Sequence, residues 1–283
     1  MMNVKNMLRT LVFDGQVSLT FADTSALVKE GASLHKLSPA STVTFGKALS
    51  AMTFASACLK EETGEISLSL KCDGAVGGIG VSGNRGLHLR GYIENTAIDE
   101  EDVLFGNGSL TIIRDDGYNR PFVGSCALPK NGGVDEAFEE YYRISEQLPT
   151  YIKTTVKIGE NGVCAFAGVA VLQPLPFASE ETIEKVKNTN LDELLKKVKA
   201  LGVEGAVRAS FEPEQSVWDL RKAEYKCNCS KAYLTRVLVP LGEEELRRIV
   251  REDGAIRIHC HYCNSDYEFT DQDVDGIFKN DQK

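Results

Sequence analysis

The closing segment of the chain carries two close cysteine pairs, Cys227-Asn228-Cys229 and Cys260-His261-Tyr262-Cys263. Each pair offers two thiolates from one turn, and the stretch between them is long enough to fold and bring the turns together. The pattern predicts one tetrahedral Zn2+ ion held by four thiolates: Cys227, Cys229, Cys260 and Cys263. The intervening stretch suits that role. Residues 243–251 open with glutamates and close with arginines, as a helix dipole favours, and Leu246, Ile249 and Val250 form an apolar face. Asp253-Gly254 then turns the chain into a strand over 255–259 that delivers Cys260. His259 and His261 flank Cys260 and could each replace a thiolate, but four cysteines already satisfy zinc.

A tail of this length, 227–283, is marginal as an independent fold. Below roughly 70 residues a hydrophobic core rarely supplies more than ~3–5 kcal/mol, whereas structural zinc contributes ~10–16 kcal/mol that is coupled to folding. Losing the metal should therefore unfold the tail. Thiol oxidation is one way to lose it, because a disulfide no longer serves as a ligand pair. Sequence neighbours can form such bonds, and a one-residue loop between Cys227 and Cys229 would be strained and easily reduced again. The same residues also fit a purely structural zinc ribbon without redox behaviour.

The rest of the chain narrows the setting. Net charge is -9 with a pI near 5.1, which argues against general attraction to phosphate backbones or anionic membranes. The apolar-leaning stretch 40–59 is interrupted by Ser, Thr and Lys, so no membrane span is expected. The first residues lack the apolar run of an export signal, and eight cysteines then point to a reducing, cytoplasmic location with metal or redox roles.

The expected fold class is α+β, in three parts. Residues 1–177 read as a mostly antiparallel sheet domain with packed helices, 178–226 as a helical connector, and 227–283 as a small zinc-binding domain. A strand is expected at 16–21. Ser38-Pro39 offers an N-cap and an N1 proline for a long buried helix to residue 59. Strands follow at 65–72, 75–81, 87–93, 110–114 and 122–128, separated by turn residues such as Asp73-Gly74 and Asp116-Gly117. A helix over 134–147 stops before Pro149, and strands at 150–158 and 163–172 complete the domain. Helices at 179–187 and 190–199 come next, ending at Gly202 and Gly205, in a region with no obvious core of its own. Val217, Trp218 and Leu220 are apolar residues in this otherwise polar connector and should dock on a neighbouring domain.

Other motifs carry less. Gly78-Ile79-Gly80-Val81-Ser82-Gly83 matches the dinucleotide fingerprint in letters, but a strand-like run follows where a helix is needed. Cys260 to Cys263 does not open a helix, unlike a thioredoxin-type dithiol. Cys58, Cys72, Cys126 and Cys164 lie in apolar patterns and read as inert core thiols, and His35 and His88 show no hydrolase arrangement.

Several stretches together resemble the bacterial redox-regulated heat-shock holdases, the thirty-three-kilodalton chaperonin family. They are Leu34-His35-Lys36-Leu37-Ser38-Pro39, Tyr142-Arg143-Ile144-Ser145-Glu146-Gln147-Leu148-Pro149, and Ala167-Gly168-Val169-Ala170-Val171-Leu172-Gln173-Pro174. Tyr225-Lys226-Cys227-Asn228-Cys229-Ser230 and His259-Cys260-His261-Tyr262-Cys263 complete the match. The resemblance implies an ATP-independent, non-enzymatic holdase, inactive when reduced and zinc-bound, active when oxidised. It implies disulfides Cys227–Cys229 and Cys260–Cys263, unfolding client proteins as partners, and a homodimer on activation; nucleic acid and membranes are not expected partners. The alternative from the residues alone is a constitutive zinc-ribbon module binding nucleic acid or a protein, which oxidation would inactivate. A thiol oxidoreductase ranks last.

Overall fold

Ser38 accepts a hydrogen bond from Ser41 N through its side chain, and Pro39 opens the helix that organises the molecule. The computed structural model describes residues 5–99, 103–130, 132–213 and 217–279. They form two compact units, one ending at Lys226 and one starting at Cys227.

In the first unit, strands β1 (Met7–Val12) and β2 (Val17–Asp23) lead into helices α1 (Ser25–His35) and α2 (Pro39–Ala57). Strands β3 (Glu65–Cys72), β4 (Gly78–Asn84), β5 (His88–Ile93), β6 (Gly108–Asp115) and β7 (Phe122–Ala127) follow. Helix α3 (Val134–Tyr141), a π-turn (Tyr142–Glu146), and strands β8 (Tyr151–Ile158) and β9 (Cys164–Pro174) come next. Helices α4 (Glu180–Lys187) and α5 (Leu191–Arg208) precede two short strands, β10 (Asp219–Arg221) and β11 (Glu224–Tyr225). The sheets run β10-β1-β2-β9-β8 and β11-β5-β4-β3-β6-β7.

Helix α2 packs against strands of both sheets, and Phe45, Leu49, Met52 and Phe54 share one core with Val169, Val171, Ile79 and Leu110. Its hydroxyls survive burial because they bond back along the helix: Ser50 Oγ donates to Gly46 O at 2.7 Å and Thr53 Oγ1 to Leu49 O at 2.9 Å. Gly46 is required, since a Cβ there would come within 2.9 Å of both Val28 and Val156 side chains.

The structure departs from the sequence-based expectation in several elements. Strand β4 starts at Gly78 rather than 75, because residues 74–77 form a turn in which Cys72 N donates to Gly77 O. The glycines of the fingerprint make room for side chains: a Cβ on Gly80 would meet the Tyr92 ring at 2.4 Å. The helix expected to residue 147 ends at Tyr141 and widens into the π-turn. Consecutive Tyr141 and Tyr142 are both buried, which the α-helical stride of 100° per residue disfavours, and the wider turn brings Glu146 to Tyr141 Oη at 2.7 Å and Arg114 at 3.0 Å. Finally, α5 does not end at Gly202. The chain breaks there (φ 71°, ψ 175°) and resumes to Arg208, because Val203, Ala206 and Val207 join Leu194, Leu195 and Val198 over Leu19, Phe21 and Ala170 of the first sheet. The region has no core of its own but completes one on the first sheet.

Residues 219–226 then form a strap across the edges of both sheets. Arg221 donates to Arg85 O at 2.9 Å and to Ala57 O at 3.0 Å, capping the C-terminus of α2, and pairs with Asp219. Tyr225 Oη donates to Gly91 O at 2.8 Å, accepts from Gly91 N at 3.2 Å, and shares a hydrogen bond with His35 Nε2 at 3.2 Å. Gly31 admits its ring, which lies 3.0 Å from where a Cβ would stand.

A buried carboxylate in this unit gives a pH test. Asp135 is 6% exposed, accepts from Thr154 N at 3.1 Å and from Thr154 Oγ1, and lies 3.9 Å from Lys153 Nζ. Burial raises its carboxyl above the ordinary value, against the Thr154 hydrogen bonds that lower it. The folded chain therefore holds this proton more tightly than the unfolded chain. The charge costs stability at neutral pH, and the cost vanishes as pH falls through the raised native value toward the unfolded value near ~3.9. Asp135→Asn keeps an acceptor and removes the charge. Its stability relative to the parent, from urea midpoints across pH 4–7, should be most favourable at neutral pH and fall on acidification. A difference independent of pH would contradict the assignment.

Candidate metal centre

The second unit is built around few apolar side chains. Helix α6 (Lys231–Leu238) is capped by Ser230 Oγ accepting from Tyr233 N at 3.1 Å. Helix α7 (Glu243–Asp253) starts with three glutamates and ends at Gly254 with φ 78°. Strands β12 (Ile256–Cys260) and β13 (Ser265–Phe269) form a hairpin, followed by helix α8 (Asp271–Lys279). Leu234, Leu238, Leu246, Ile256, Phe269, Val274 and Ile277 are its buried core. Arg247 joins α7 to α8 by reaching Glu243, Asp271 and Asp275 at 2.6–3.1 Å.

The hairpin puts Cys260 at the end of β12 and Cys263 in the turn, where Asn264 takes a left-handed φ of 49°. Before α6, Cys227 and Cys229 are held by a hydrogen bond from Cys229 N to Cys227 Sγ at 3.4 Å. The sulfurs of Cys227, Cys260 and Cys263 all lie within 4.8 Å of one another, with Cys227 Sγ 3.9 Å from Cys260 Sγ. Cys229 stands outside that group of three, and its backbone carbonyl accepts from Tyr267 Oη. Burial raises the Cys229 thiol. Burial also pushes Cys260 up, but hydrogen bonds from the Cys263 and Tyr262 backbone and from neighbouring thiols outweigh it, so its net shift is downward. A half-buried set of converging thiols without carboxylates is a donor set suited to zinc rather than to a hard cation.

The Hsp33 protein family model matches residues 5–270. The chain belongs to the Hsp33 family. Among curated relatives, the 33 kDa chaperonin of Acetivibrio thermocellus is 30% identical, the match covering 96% of each chain. That of Bacillus cytotoxicus is 29% identical over 96% of this chain and 98% of its own. The crystal structure of an Hsp33 homologue from Thermotoga maritima superposes with a TM-score of 0.80 at 24% identity, covering 98% of this chain and 99% of the other, and so shares its fold. The chain is thus a member of a chaperone family, with an α+β fold. No described helix is long and apolar enough to cross a membrane.

Within this Hsp33-family fold the flanking histidines stay out of the thiol cluster. His259 and His261 are exposed, and His259 Nδ1 pairs with Asp266 at 2.8 Å. Cys58, Cys72, Cys126 and Cys164 are half-buried or buried thiols outside the cluster, each raised by burial, which suits inert groups. His35 and His88 have partners the sequence did not show: Tyr225 for the first, and Glu224 at 3.5 Å for the second. Tyr267, whose Oη donates to Cys229 O at 3.2 Å, was also missed. Its place opposite Ile258 in the hairpin is the only signal that could have found it.

Proposed function

We propose that this chain is a redox-switched, ATP-independent holdase, silent while Cys227, Cys229, Cys260 and Cys263 hold one zinc ion and active once they are oxidised. The observation that carries the reading is the convergence of three of these thiols, with the backbone N–H of Cys229 donating to one of them, in a small unit that begins directly after the strap. Zinc, when bound, supplies the folding free energy that the short apolar core lacks. Oxidation of Cys227 with Cys229, and of Cys260 with Cys263, forms one S–S bond per pair. Each pair gives two electrons to one peroxide, which takes up two protons and leaves as two waters. The disulfide sulfurs can no longer hold the metal, the tail loses order, and the disorder spreads along the chain into the strap that ends at Lys226. Its release uncovers apolar side chains such as Leu8 for unfolding client proteins, and the active form is a homodimer in the cytoplasm.

The test is light scattering of a heat-unfolded client, with zinc release followed by a chelating dye. The reduced chain should leave aggregation unchanged. The peroxide-treated chain should release about one zinc per chain and suppress aggregation at near-stoichiometric ratios. Suppression by neither form would remove the chaperone reading, and full activity in the reduced form would remove the switch.

A further inference from the structure

The strap is held mainly through its backbone. β10 pairs antiparallel with β1, Leu220 opposite Leu8 and Arg221 opposite Met7, and β11 pairs parallel with β5, Tyr225 beside Leu89. Asn6 N donates to Arg221 O at 3.1 Å, Glu224 N to Leu87 O at 3.0 Å, and Lys226 N to Leu89 O at 2.8 Å. Where the strap crosses from one sheet to the other, the Asn6 side chain imitates a strand. It accepts from Ala223 N at 2.7 Å and donates to Ala223 O at 3.1 Å. These contacts read N–H and C=O groups that every polypeptide carries; the side chains of Leu220, Arg221, Ala223 and Tyr225 are the ones that enter specific sockets.

We infer that the edges of β1 and β5, with Asn6 between them and the Tyr225 socket at one end, bind an extended segment of an unfolding client, and that the strap is its internal stand-in. The inference rests on the holdase reading and adds the place and the mode of binding. The occupant follows from what is seated there: an extended chain paired by its backbone, with an aromatic side chain in the socket against Gly31 and Gly91. A vacated edge leaves a row of unpaired donors and acceptors that any extended chain can satisfy. The outer edge of β7, at the far end of the second sheet, cannot serve as a switched site. Among the described residues nothing pairs with it even while the strap is docked, so it gains nothing on release. A ladder-reading site is tolerant of sequence, as a holdase requires, and would favour segments bearing an aromatic residue in register with Tyr225.

The probe is a labelled peptide copying residues 217–226, added to the full chain. It should bind the oxidised chain at least about tenfold tighter than the reduced chain, and should release bound client into aggregation. Backbone N-methylation at the positions of Glu224 and Lys226 removes the two donors to β5 and should weaken binding about tenfold or more. Asn6→Leu should weaken the peptide's hold on the oxidised chain, yet make the strap of the reduced chain more sensitive to trypsin. A general loss of fold would also strip amide protection from α2, which should stay unchanged in this variant. An N-methylated peptide that binds as well as the parent overturns the inference, and so does a peptide that binds without displacing client. An oxidised chain that suppresses aggregation while ignoring the peptide removes only this assignment. A chain that never suppresses aggregation removes the holdase reading beneath it as well.

Discussion

Chelating zinc from the reduced chain is expected to unfold everything from Cys227 onward while the first unit stays folded. The tail buries seven apolar side chains as its core, and Phe269 is the largest of them. The ion pairs of Arg247 do not replace a core, because its carboxylate partners are exposed or half-exposed and such pairs contribute ~0–1 kcal/mol. A metal contribution of ~10–16 kcal/mol exceeds the usual net stability of a small domain, ~5–15 kcal/mol, so its removal should invert the balance. Hydrogen exchange provides the measurement. Amides in α7 and in the β12–β13 hairpin should lose at least ~1,000-fold protection, equivalent to about 4 kcal/mol. Amides of α2 should not change. A metal-free tail that keeps its protection would break the proposed link between thiol state and fold.

Tyr225→Ala is expected to produce holdase activity without oxidation. The substitution removes the ring that fills the space beside Gly31 and the hydroxyl that serves both Gly91 N and Gly91 O. Aromatic truncation in a packed site costs ~3–5 kcal/mol; for this half-buried side chain about 3 kcal/mol is reasonable, a factor of ~150 in the docked-to-released ratio of the strap. Trypsin should then cut after Arg221 and Lys222 far faster in the reduced, zinc-loaded variant, and the same sample should suppress aggregation. Tyr225→Phe keeps the ring and loses only the hydrogen bonds, so its effect should be much smaller, about 1 kcal/mol. A reduced Tyr225→Ala chain that stays both protease-resistant and silent would show that the strap is not the restraint.

How far the sequence revealed all this depended on whether the signal was local. Cysteine spacing announced the cluster of Cys227, Cys260 and Cys263 because ligand geometry demands close pairs, and Ser38-Pro39 announced α2 because capping is local chemistry. The second half of α5 was hidden by Gly202 and Gly205, which read as a stop until the apolar face of the first sheet is there to receive Val203 and Val207. The π-turn was hidden because nothing in 141–146 states that two adjacent tyrosines must both point inward. Strands β13, β1, β10 and β11 were missed. The last two are three and two residues long, too short for any period to show, and exist only because β1 and β5 offer edges. Asn6 could not have been singled out, since its partner Ala223 is 217 residues away.

The burial of the second half of α2, residues 48–57, on every side decides how the molecule survives stress. That half has no wet face and no stable existence apart from its surroundings, and the helix is wedged between strands of both sheets. Neither sheet can shed it without opening its own interior, so the first unit should melt as one block rather than piecemeal. The conditional part of the chain is thereby confined to its last fifth and the strap before it. Under the proposed switch, heat and oxidant would rearrange that part while the body meant to hold a client stays intact.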